Sequence, residues 1–117
     1  MTNEEQIKAL AELDGWKFIR IKKGPYNSGG YRLQLNGAEK GGFDDHQKFE
    51  SVCRIFRIPN YLTSYDAIIP LIQRQARSIK AFVERECFNR INSTCLFDSS
   101  PTQLCEALLR ATGKWVE

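Results

Sequence analysis

The chain has 117 residues, 42% of them apolar and 11% aromatic, which is enough for one packed core and the usual size of one domain. Seventeen Lys and Arg against fourteen Asp and Glu give a net charge of +3, mild for a protein that must neutralise many phosphates. No stretch approaches the roughly 18 consecutive apolar residues of a bilayer span, and the acidic, polar start Met-Thr-Asn-Glu-Glu-Gln is unlike a secretory signal. The expectation is therefore a single cytoplasmic domain over 1–117, with no membrane association and no cofactor.

In chain order, Asn3 to Leu13 reads as a short amphipathic helix. Asn3 is its candidate N-cap with Gln6 three residues on, Ile7, Leu10, Ala11 and Leu13 are its apolar positions, and Gly15 is its stop. Trp16 to Lys22 is aromatic and β-branched and reads as a strand. Tyr31 to Asn36 alternates Tyr31, Leu33 and Leu35 with Arg32, Gln34 and Asn36, the pattern of a half-buried strand. The Gly- and Pro-containing run between them makes the pair an antiparallel hairpin, 16–22/31–36, with a long loop.

Gly41 to Pro59 supports two readings. Phe49, Val52, Cys53 and Phe56 have helical spacing behind an Asp44-x-x-Gln47 cap, yet Ser51 to Ile58 is strand-like in composition, and periodicity does not choose between them. The helix is the preferred reading. From Tyr65 to about Arg90 an apolar stripe of Tyr65, Ile68, Ile69, Ile72, Ala76, Ile79, Val83 and Cys87 predicts a helix or two joined helices, capped by Thr63 or Ser64 and bent or restarted at Pro70. The last helix is the most fully specified element. Ser100 caps it, Pro101 opens it, Gln103 completes a capping box and Gly113 stops it. Leu104, Leu108, Ala111 and Trp115 lie along one side, with Leu109 beside them.

The chemistry-bearing residues give little. His46, the lone histidine, stands in a polar run with Asp44 and Asp45, and nothing is spaced to join it as a metal ligand, so a solvated loop is the preferred reading. Cys53, Cys87, Cys95 and Cys105 contain no CxxC pair, and three of them fall on or next to apolar stripes, which points to core packing. The pairs Gly29-Gly30 and Gly41-Gly42 lack both the Walker and the dinucleotide fingerprints and read as turns.

The basic residues form two candidate patches. Arg20, Lys22, Lys23 and Arg32 are placed on an exposed hairpin face, with Tyr26 on the loop to stack on a base. Arg74, Arg77 and Lys80 follow at three-residue spacing on the polar side of the middle helix. Acids at Glu39, Asp44, Asp45, Glu84 and Glu86 dilute both patches. Tyr26, Tyr61 and Trp115 are candidate protein-contact anchors.

Three segments taken together resemble the phage ABA sandwich domain family, small phage and prophage proteins of unknown function. They are "ELDGW" at Glu12 to Trp16, "IPNYLTSYDAI" at Ile58 to Ile68, and "FDSSPTQLCEALLRATGKW" at Phe97 to Trp115. The resemblance implies an α/β (α+β) fold with the antiparallel hairpin layered between helices, an α-β-α sandwich, and a phage or prophage origin. It brings no catalytic or binding residues to transfer. The expected function is a non-enzymatic accessory protein acting on an unknown host or phage protein. The alternative is a nucleic-acid-binding module using the basic hairpin and helix surface. A metal or enzymatic site built on His46 and the cysteines ranks third.

Overall fold

A computed structural model describes residues 1–22, 24–25, 29–44, 46–91 and 99–116. Among them the chain forms five helices and a three-stranded antiparallel sheet, an α+β fold. Contacts divide it into two compact units, one of residues 1–10 with 59–117 and the other of residues 11–58. Helix α1 (Asn3–Leu13) begins in the first and ends in the second.

The sheet belongs to the second unit. Strand β1 (Trp16–Ile21) pairs with β2 (Gly30–Leu35), joining Trp16 to Leu35 and Ile21 to Gly30, as the hairpin reading expects. A third strand, β3 (Ala38–Phe43), pairs with the other side of β2 and was not foreseen. Asn36 and Gly37 connect β2 and β3 with φ values of 53° and 87°, the two left-handed residues that a two-residue hairpin turn of the I′ type requires. Within β3, Glu39 pairs with Gln34 but Gly41 pairs with Leu33, so Lys40 is an extra residue in a β-bulge.

Helix α2 (Phe49–Phe56) lies across one face of this sheet. The Phe49 ring is 6.4 Å from that of Phe18 on β1, while a Cβ on Gly41 of β3 would stand 3.0 Å from the Phe56 ring. Seven residue steps of about 1.5 Å span the same ~10 Å as two strand spacings, so this short helix is just long enough to reach from β1 to β3. Leu33 and Val52 are completely buried in this unit. The Asp44 and Gln47 pair forms its reciprocal hydrogen bonds, but it closes a turn ahead of the helix. The helix itself starts behind Lys48, whose side chain makes no capping bond. Arg57 ends α2 in the left-handed conformation, φ 57°, letting Ile58 N donate to the Cys53 carbonyl at 2.9 Å.

The first unit is helical. Its first turn of α1 is capped by Thr2, whose Oγ1 accepts from Glu5 N at 3.2 Å, one residue earlier than the expected Asn3 cap. The pattern Thr2-x-x-Glu5 competes with Asn3-x-x-Gln6, and Gln6 is buried instead of reaching back to a cap. The predicted middle helix is two, α3 (Tyr65–Gln73) and α4 (Arg77–Ile91). The break falls at residues 74–76 and not at Pro70, which is exposed and carried inside α3. The proline removes one donor, but the helix ends where Gln75 turns its own donors onto the carbonyls of Ile72 and Leu71. Ala76, in the break, is exposed although the apolar stripe passes through it.

Helix α5 (Pro101–Ala111) has the specified ends. Gln103 N donates to Ser100 Oγ at 3.2 Å and Ser100 N donates to Gln103 Oε1 at 2.9 Å. Past its end, Gly113 takes φ 75°, Gly113 N donates to the Arg110 carbonyl and Lys114 N to that of Leu109, a Schellman closure. Three side chains then tie the preceding segment to α5 and its cap. The Cys105 thiol donates to the Tyr61 carbonyl at 3.0 Å, Thr102 Oγ1 to that of Leu62 at 3.0 Å, and the Tyr65 hydroxyl to that of Ser99 at 2.6 Å. Among the described residues no helix is long and apolar enough to cross a membrane.

Candidate interaction surface

Antiparallel partners point to the same face of a sheet, and successive residues alternate. Because Arg20 pairs with Tyr31 and Ile19 with Arg32, Arg20 and Arg32 stand on opposite faces of the hairpin. The single basic hairpin face expected from the sequence is thereby split. Lys22, just beyond β1, is exposed, while Lys23 and Tyr26 lie outside the described residues.

Arg32 shares its face with Gln34 and Glu39. Its Nε and Nη2 donate to the two Glu39 carboxylate oxygens at 3.1 and 2.8 Å, and Gln34 Nε2 donates to the second at 3.3 Å. The Arg32 bonds, then that from Gln34, hold the Glu39 carboxyl below the usual carboxylate range, and the same pairing raises Arg32. This guanidinium is therefore matched within the sheet, a bidentate geometry that fixes both side chains.

On the other face Arg20, Tyr31 and Phe43 form a row across the three strands. The Arg20 guanidinium carbon sits 4.9 Å from the centre of the Tyr31 ring, and the Tyr31 and Phe43 rings stack with centres 5.2 Å apart and planes 21° from parallel. With β2 between β1 and β3, Arg20 covers one face of the Tyr31 ring and Phe43 the other. Arg20 is exposed and both rings are half-buried, so the row is partly open to solvent at the end of the sheet remote from the Asn36–Gly37 turn.

The helical basic residues belong to the first unit. Arg74 lies in the break between α3 and α4, with Nε donating to the Pro70 carbonyl at 3.4 Å, so the three-residue series with Arg77 and Lys80 does not continue along one helix. Arg77 is exposed and Lys80 half-buried. Of the expected aromatic anchors, Tyr61 is completely buried and is packing, not contact surface. Trp115 is half-buried beneath the Arg110 guanidinium, 5.0 Å from its ring centre, and Arg110 is paired with Glu106 at 3.0 Å.

The residues weighed for catalysis are placed as follows. His46 is exposed in the turn that Asp44 organises, where Asp44 Oδ1 accepts from the backbone N of His46 and Gln47. Cys105 and Cys87 are buried, Cys53 is half-buried, and Cys95 lies outside the described residues. Burial pushes the Cys105 thiol up to about 12, which keeps it protonated and unreactive at neutral pH. Among the described residues no three His, Cys, Asp or Glu side chains are grouped to hold a metal. A crevice lined by Glu86, Cys87, Ser99, Gln103 and Ala107 is too tight to admit a water molecule.

The row's third member was hidden because β3 was. Asn36-Gly37 is a hairpin-turn signal at the end of β2, although the residues after it do not read as a strand. It would not have placed Phe43, which depends on the bulge. Comparison of the chain with family models, with curated proteins and with solved structures finds no match.

Proposed function

We propose that this chain is a non-enzymatic accessory protein of a phage or prophage, working in the bacterial cytoplasm by binding a host or phage protein through the Arg20–Tyr31–Phe43 row. The row itself carries the reading. Tyr and Arg are the residues that most often dominate interface energetics, and here they are held in place by each other before any partner arrives, which lowers the entropy lost on binding. The phage origin rests on the resemblance noted above. Within those three segments Trp16 and Tyr61 are buried and Ser100 and Gln103 cap α5, so these four residues serve the fold.

The alternative, nucleic-acid binding, draws on the same cation and aromatic rings. Two observations weigh against it. Both faces of Tyr31 are covered, so no base can stack there, and Arg32 is neutralised by Glu39.

The test is capture from bacterial lysate on immobilised protein, comparing the natural sequence with Tyr31→Ala after circular dichroism shows both folded. A protein retained by the natural chain and reduced about tenfold or more by the substitution is expected, the effect of losing one anchor residue. Equal retention by both, or no retained protein, overturns the reading. Oligonucleotide binding that weakens steeply with salt would favour the alternative.

A further inference from the structure

No further inference is drawn: the strongest candidate, the cation–aromatic row of Arg20, Tyr31 and Phe43 at the end of the sheet remote from the β2–β3 turn, belongs to the site already described, and nothing in the structure shows what covers it.

Discussion

Stability at alkaline pH should report directly on the packing of Cys105. Its thiol is completely buried and burial holds its pKa at about 12, against 9.0 for an ordinary cysteine. The folded state therefore keeps a proton that the unfolded chain releases as pH rises past 9. The sign follows: the contribution is fully present below the unfolded pKa and is lost progressively as pH climbs from about 9 towards 12. Between pH 8 and pH 10 the unfolded state gains about 1.4 kcal/mol from ionising this one group, while the folded state gains almost nothing. The assay is urea unfolding at pH 8, 9 and 10 of the natural chain and of Cys105→Ser, which keeps a donor for the Tyr61 carbonyl but does not titrate in this range. Every other ionisable group is common to both proteins and cancels in the comparison. The stability difference between the two should shift by about 1.4 kcal/mol against the natural chain over these two pH units. A difference independent of pH would mean that the thiol is not enclosed.

Two further substitutions test the helix ends, and one tests the surface. Ser100→Ala removes the acceptor of Gln103 N and should cost about 1 kcal/mol, a few degrees of thermal midpoint, whereas an unchanged midpoint would refute the cap. Arg57→Gly relieves a left-handed residue at the end of α2 and should stabilise the protein by up to about 1 kcal/mol in urea unfolding, while destabilisation would show that the arginine side chain contributes more than its backbone strain costs. Tyr31→Ala should leave the far-ultraviolet spectrum intact and reduce partner capture about tenfold or more, as set out above.

Legibility from sequence follows how local each determinant is. The ends of α5 are written in consecutive residues, Ser100-Pro101 with Gln103, and Gly113, and all of them do what their chemistry implies. The first hairpin is equally local in its alternation. Strand β3 is different, because Ala38-Glu39-Lys40-Gly41-Gly42-Phe43 contains almost nothing that favours a strand, and pairing with β2 imposes the conformation. The turn alone would have set Ala38 opposite Leu35 and carried that register up to Tyr31, which would then face Gly42. Lys40 bulges out instead, moving every later residue by one and bringing Phe43 onto the ring of Tyr31. A single inserted residue thus decides which face Phe43 occupies, and no periodicity in the chain announces it. The basic hairpin patch failed for the same reason: alternation along each strand is legible, but the relation between strands, which parts Arg20 from Arg32, is not.

The account stands on the Arg20–Tyr31–Phe43 row as the contact surface. Its most direct test is photo-crosslinking in bacterial cells, with p-benzoylphenylalanine replacing Phe43, and with the same group replacing Ala38 at the opposite end of β3 as control. The account predicts a discrete adduct with another protein from position 43 and none from position 38. Equal adducts from both positions, or none from position 43, would contradict it.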